Sequence, residues 1–332
     1  MTEDNLKQYT DLASEKIGGQ VVYCTDDFFA EKENLIKEGR GIFIPDKYTD
    51  HGKWMDGWES RRKRTAGHDW AIIKLGANGI IKGFDIDTNH FLGNHPPFAS
   101  IEAINLDDSN LNWSESDALE WEEVLPKSPL NPGSQHFFEI DSDKVFSHVR
   151  LHIYPDGGVA RLRVYGDVYK DWNIIDNSEV IDLILANNCG KALHCNDMFF
   201  SNMENLISPT SGKNMGDGWE TKRNRTPNNE DFVILRLGHP GFIQKIIVDT
   251  KHFKGNYPDS CAIDACYCND DQETLKENHE WTTLLPKQKL EADKEHAFES
   301  EIISFENPIS HVKLKIYPDG GISRLRLIGT IK

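Results

Sequence analysis

The sequence predicts an all-β chain of two tandem jelly-roll β-sandwich domains related by internal duplication. Three observations carry that expectation. Ordered blocks recur at a near-constant spacing, alternating apolar and polar runs are broken by glycine-rich turns, and long helical periodicity is scarce.

The recurrence comes first because it sets the architecture. Asp11-Leu-Ala-Ser returns as Asp182-Leu-Ile-Leu, 171 positions later (182 − 11). Phe28-Phe29 with Glu33-Asn-Leu-Ile36 returns as Phe199-Phe200 with Glu204-Asn-Leu-Ile207. Asp56-Gly-Trp-Glu59 returns as Asp217-Gly-Trp-Glu220, and Asp87-Thr-Asn-His90 as Asp249-Thr-Lys-His252. Tyr154-Pro-Asp-Gly-Gly158 closes one copy and Tyr317-Pro-Asp-Gly-Gly321 the other, 163 apart (317 − 154). The net loss from the second copy is local. Ile36 to Asp56 spans 20 steps (56 − 36), whereas Ile207 to Asp217 spans 10 (217 − 207). The first copy therefore carries a longer loop, Lys37 to Met55, which contains His51 and suits a surface position over a site. These limits place repeat 1 at residues 11–166, a linker at 167–181 and repeat 2 at 182–330.

The elements within a copy read as strands. In His148 to Tyr154, Val149, Leu151 and Ile153 share one face, and Arg150, His152 and Tyr154 the other. Pro155-Asp-Gly-Gly158 supplies a turn, and Ala160 to Tyr165 resumes alternation with Leu162 and Val164 inward, Arg161 and Arg163 outward. Leu325, Leu327, Arg324 and Arg326 repeat this in the second copy. Asp69 to Leu75 and Ile80 to Asp87 read as further strands around Gly76 and Gly79, and Asp182 to Ala186 as a short helix. Many short strands with turn signals suit one sandwich per copy.

Composition restricts the partners. The 332 residues carry 54 acidic against 37 basic side chains, a formal charge of −17. Such a surface repels phosphate backbones and anionic lipid, which argues against nucleic acid and membrane partners. A small anionic substrate would need a local basic pocket. No apolar run reaches the roughly 18 residues of a membrane span, and the N-terminus lacks the regions of a secretory signal, so a cytoplasmic location is expected. Cys266 and Cys268 align with Ile104 and Leu106 of the first copy and read as buried, core-facing thiols rather than metal ligands.

The constellation richest in chemistry is Asp56-Gly-Trp-Glu-Ser-Arg-Arg-Lys-Arg-Thr65, mirrored by Asp217-Gly-Trp-Glu-Thr-Lys-Arg-Asn-Arg-Thr226. Arginine grips a carboxylate bidentately and glutamate handles a proton. The same residues also suit a turn aspartate, a core tryptophan and structural ion pairs. His90 and His252 each follow an aspartate by three residues, fitting an acid or base or a strand-end hydrogen bond. Arg161 and Arg324 follow the matched turns and suit either a pocket or a solvated edge. No histidine spacing signals a metal, and no cofactor is evident. A mixed His/carboxylate metal site assembled in space stays open.

Gly19-Gln-Val-Val, Asp26-Asp-Phe-Phe, Asp56-Gly-Trp-Glu-Ser-Arg-Arg, Gly93-Asn-His-Pro-Pro-Phe and Tyr154-Pro-Asp-Gly-Gly-Val-Ala-Arg resemble the signatures of allantoicases, over about residues 11–330. The resemblance implies galactose-binding-like jelly rolls and hydrolysis of allantoate to ureidoglycolate and urea in purine-nitrogen breakdown. It does not assign catalytic residues, so chemistry must. Allantoate bears two ureido groups and a carboxylate on one carbon. On that basis Glu59 and Glu220 are candidate bases and His90 and His252 candidate acids. Asp56, Arg62, Arg161, Asp217, Arg223 and Arg324 are candidate substrate-binding residues. Direct hydrolysis and elimination followed by hydration both fit, as does a homo-oligomer, and the working copy is open. The alternative is a non-catalytic sugar- or ligand-binding protein, because jelly rolls often bind without reacting.

Overall fold

The computed structural model of the chain describes residues 3–107 and 111–332. It forms two compact units, Met1–Tyr169 and Lys170–Lys332. The first contains β1 (Thr10–Asp11), β2 (Gln20–Cys24), β3 (Tyr48–Thr49), β4 (Gly52–Lys53), β5 (Trp58–Glu59) and β6 (Asp69–Asp87). It continues with β7 (Phe98–Ile104), β8 (Glu122–Pro129), β9 (Phe137–Glu139), β10 (Val145–Tyr154), β11 (Gly158–Val159) and β12 (Arg161–Val168). The large sheet runs β1-β12-β6-β10-β7-β8, with β2 and β9 also on β6.

The two segments expected around Gly76 and Gly79 form a single strand of 19 residues. At Ile73, β6 lies between Val21 of β2 and Val149 of β10. At Phe84 it lies between Phe138 of β9 and Val164 of β12. The strand thus passes from one layer of the sandwich to the other, and the glycines mark the handover. Between the layers Trp58, Ile73, Phe84, Val149, Leu151, Leu162 and Val164 are fully buried. The second unit has the same strand order, built on Asp231–Asp249, with Trp219, Val312, Leu314, Leu325 and Leu327 at its centre.

Several local expectations differ from what forms. Asp182 to Ala186 is not a helix: Ile181–Asp182 is a strand and a 3-10 turn follows at Ala186–Asn188. The Asp182 carboxylate accepts from Ile184 N and Leu327 N, which ties this segment to the final strand. Within the stretch read as linker, Val168 still belongs to β12. Lys170 reaches Asn188, and Trp172 packs 5.1 Å from the His239 ring, so this stretch lies on the second unit. Cys266 and Cys268 do not face the core. Cys261, Ile263 and Ala265 take the inward parity of their strand, leaving Cys266 half-buried beside His279. The polar face of β10 is covered as well. Arg150 is buried against Glu102 and Asp117, and His152 against Glu102.

One buried carboxylate belongs to the first copy alone. Asp85 is 2% exposed, and the register of β6 on β12 gives it Ile247 as its counterpart. Gln135 Nε2 donates to it at 2.6 Å and His136 N at 3.2 Å. Burial pushes its carboxyl up to about 6. A carboxyl raised on folding favours the folded state below its unfolded value, and that advantage is lost as pH rises through about 6. Asp85→Asn is therefore expected to stabilise the chain by up to about 3 kcal/mol at pH 8, falling toward zero near pH 4. Thermal unfolding of both proteins across that range measures it.

Candidate active site

Three loops meet at one end of the first sandwich, and their backbones hold one another. Glu59 pairs with Gly158, and Trp58 with Val159. Ser60 N donates to Gly157 O at 3.1 Å, and Gly158 N donates to Asn94 O at 2.8 Å. Phe29 N reaches Glu59 O at 3.2 Å from the other side. Trp58, fully buried, anchors the group by donating its indole N–H to Asp26 O at 2.8 Å. Glycine is required at Gly157. Its φ is 134°, and a Cβ there would lie 2.6 Å from Asn94 O.

On this frame the side chain of Glu59 faces a cleft. Two adjoining hollows of about 540 and 400 Å³ share Phe29, Glu59, Gly93 and Asn94 as their common wall. The larger is also lined by Arg62, Lys63 and His95, the smaller by His51, Lys53 and His90. Asn94 Nδ2 donates to Glu59 Oε1 at 2.7 Å. Burial raises the Glu59 carboxyl above its ordinary value, and the Asn94 bond only partly opposes this.

The basic run after Glu59 is sorted by its partners. Arg61 is engaged with Asp26 and Lys63 with Asp69. Arg62 is exposed on the cleft wall and pairs with no carboxylate among the described residues. An arginine so placed can take a carboxylate from a ligand. His51 comes from the longer loop. Its Nδ1 lies 2.7 Å from Phe28 O and its ring stacks on Phe28 at 4.1 Å. A carbonyl partner requires a proton on Nδ1, so Nε2 carries the lone pair in the neutral ring. His95 also lines the cleft, and its Nδ1 is buried with no hydrogen-bond partner among the described residues.

Of the candidates read from sequence, Glu59, Arg62 and His90 converge here. Asp56 and Arg161 do not. Arg161 is 3% exposed, and its terminal nitrogens bond Asp56 O, Ala160 O and Asp56 Oδ2. Burial works to raise the Asp56 carboxyl, but Arg161 and Ile42 N outweigh it and hold it below the usual range. Asp217 and Arg324 form the same buried pair in the second copy. These four residues fix the turns rather than clamp a ligand in the cleft. Nor is either histidine paired with its aspartate. Asp87 is held bidentately by Arg40, and His252 Nε2 lies 2.8 Å from Gly212 O. His90 is exposed, at φ 68°, with its ring 5.6 Å from Phe43 of the longer loop.

The second copy keeps the frame with different side chains. Gly321 N donates to Asn256 O at 2.8 Å, and Asn256 bonds Glu220. Arg223 is exposed there. Asn224 stands where copy 1 has Lys63, and Tyr257 where it has His95. The shorter loop brings Met215 Sδ within 3.8 Å of the Asn256 amide. Lys53 and His95 escaped the sequence reading because the second copy has no like side chain at their places, with Tyr257 standing for His95. The ten extra steps of the loop were the one signal that pointed to His51.

The sequence profile of the allantoicase repeat matches residues 10–169 and 181–332. A probable allantoicase of Stutzerimonas stutzeri is 49% identical over 98% of this chain and 97% of its own length. Probable allantoicase 1 of Burkholderia mallei is 47% identical over 98% and 95%. A crystal structure of allantoicase from Saccharomyces cerevisiae superposes with a TM-score of 0.81 at 39% identity, covering 98% of this chain and 97% of that one.

If the Asp–Arg pairs are structural in both copies, breaking either leaves an unpaired buried charge. Arg161→Met and Arg324→Met are each expected to lower stability by about 3–5 kcal/mol. The check is a denaturant-unfolding midpoint for each variant, with the KM of Arg324→Met remaining near that of the parent.

Proposed function

The chain belongs to the allantoicase family, and we propose that the cleft of its first repeat is where it hydrolyses allantoate to ureidoglycolate and urea. The observation that supports this reading is the convergence of Glu59, Arg62 and His90 on one cleft, beside a loop ten residues longer than its counterpart in the second repeat.

The chemistry asks for three things. The substrate carboxylate needs a cation, and Arg62 is an exposed guanidinium of the cleft wall that no carboxylate among the described residues holds. This local charge offsets the −17 of the whole chain, which otherwise disfavours an anion. Water needs a base. Glu59, desolvated and steadied by Asn94, accepts a proton as the water oxygen bonds to the substrate carbon. The departing nitrogen needs a proton, which protonated His90 donates as the C–N bond breaks. Urea leaves, ureidoglycolate remains, and solvent exchange restores both side chains. His51, with Nε2 as its lone-pair nitrogen, lies on the same wall as His90 and orders water there. Glu220, Arg223 and His252 are the counterparts in a repeat whose role is structural.

Glu59→Gln is expected to lower turnover by about 100-fold or more, the scale of a lost acid–base group. Glu220→Gln is expected to leave turnover near that of the parent. Equal losses in both would assign the chemistry to both repeats and remove this reading. Arg62→Ala should act mainly on KM, because it removes a carboxylate contact rather than a proton carrier. Urea release from allantoate, with folding verified by circular dichroism, measures all three.

The pH profile tests the base separately. Glu59 works ionised and its carboxyl is raised by burial, so kcat/KM falls as pH drops through a value above the ordinary glutamate range. Asn94→Ala removes the hydrogen bond that opposes the rise, and should move that limb further up. A limb that stays in place in the variant would show that another group sets it.

A further inference from the structure

The first repeat holds a second pocket of about 300 Å³, separate from the cleft, whose lining includes Asp85, Asp87, Gln135, Arg161 and Arg163. The second repeat gives the comparison that makes it informative. There the Nε–H of Arg324 donates to Thr210 O at 2.6 Å, and Ile247 stands in place of Asp85. In the first repeat the matching carbonyl, Gly39 O, accepts instead from Arg163 at 2.6 Å, with Gly39 at φ 65°. The Nε–H of Arg161, in a side chain 4% exposed, is left without an acceptor among the described residues. The same fold closes this place in one repeat and leaves it polar and open in the other.

What the pocket still lacks defines its ligand. The terminal nitrogens of Arg161 are held by Asp56 and Ala160, and Arg163 is engaged with Asp11, Lys37 O and Gly39 O. Arg40 grips Asp87 bidentately. Asp85 accepts only from Gln135 and His136 N, and forms no ion pair among the described residues. A carboxylate offers about four acceptor sites, so Asp85 retains capacity for roughly two more donors. With its carboxyl near 6, it is ionised at neutral pH. The unmet needs are thus N–H donors for Asp85 and one acceptor for Arg161. A ureido group carries both, in one plane, and 300 Å³ equals about ten water volumes, ample for a small ureido acid. We infer that this pocket is a second ligand site of the first repeat, selective for small ureido compounds and independent of the cleft.

The test uses the full-length protein and N-carbamoylglycine, a ureido acid, followed by NMR. The side-chain Nε–H of Arg161 and the amide of Gln135 report the pocket, and the amide of Asn94 reports the cleft. Both pocket signals should shift saturably. Asp85→Ile, which installs the residue of the second repeat, should abolish those shifts and keep the Asn94 response. Asp85→Asn should weaken pocket binding about tenfold or more, as expected for a lost charge-assisted hydrogen bond. Movement of Asn94 alone would overturn the pocket and leave the cleft reading standing. Movement of the pocket signals without Asn94 would uphold the pocket and count against the cleft. A response to guanidinium but not to N-carbamoylglycine would overturn the ureido assignment.

Discussion

The floor of the cleft is one short antiparallel pair, Trp58-Glu59 against Gly158-Val159, to which the segments of Phe29 and Asn94 are hydrogen-bonded. The pairing depends on backbone running closer to backbone than a side chain permits. A Cβ on Gly57 would lie 2.6 Å from Val159 O, and one on Gly157 the same distance from Asn94 O. The consequence is rigidity where a carboxylate must be held. Glu59 receives its Asn94 hydrogen bond because both backbones are already fixed, so little side-chain entropy remains to be lost. The buried indole of Trp58 pins the same strand from below.

The duplication distinguishes what both repeats share from what only one has. Both repeats keep the buried tryptophan, the Asp–Arg pair, the Asn–Glu hydrogen bond and the glycine contacts. Retention in both copies marks the shared frame, which carries Glu59, Arg62 and His90 as well as the buried pairs, so it does not by itself separate architecture from chemistry. The differences set the first repeat apart: a longer loop, Lys63, His95 and Asp85 there, with a shorter loop, Asn224, Tyr257 and Ile247 in the second. Gly39 and Arg40 of that loop border one pocket, and His51 and Lys53 of the same loop border the other.

Much of this was legible in the sequence. The tandem sandwich followed from ordered repeats and strict alternation, because period-2 patterning and glycine turns are direct prints of a half-buried sheet. That Glu59 and Arg62 lie together beside one turn was legible from their spacing, whereas which charges of that run find protein partners was not. What was missed has physical causes too. Alternation marks Arg150, His152 and Arg161 as polar but does not say that loops will cover them, so their burial could not be read. Cys266 was misplaced because aligning it with Ile104 ignored which parity of the strand the core uses. The pairing of Asp87 with Arg40 rather than His90 joins residues 47 apart, beyond the reach of local spacing.

The closure of each sandwich by its first and last strands bears on how the chain is made. Thr10 lies opposite Gly166 and Ile181 opposite Gly329, so neither repeat can close until almost all of it exists. The clasp is chemically the same in both. Asp11 Oδ1 accepts from Val164 N at 3.0 Å, and Asp182 Oδ1 accepts from Leu327 N at 3.0 Å. Nothing in these hydrogen bonds distinguishes the correct partner from its twin, and swapped pairing is a characteristic failure of tandem repeats. Synthesis supplies the discrimination. The last strand of the first repeat is synthesised, and leaves the ribosome, some 160 codons ahead of the last strand of the second, a head start of roughly ten seconds or more at ordinary rates of elongation.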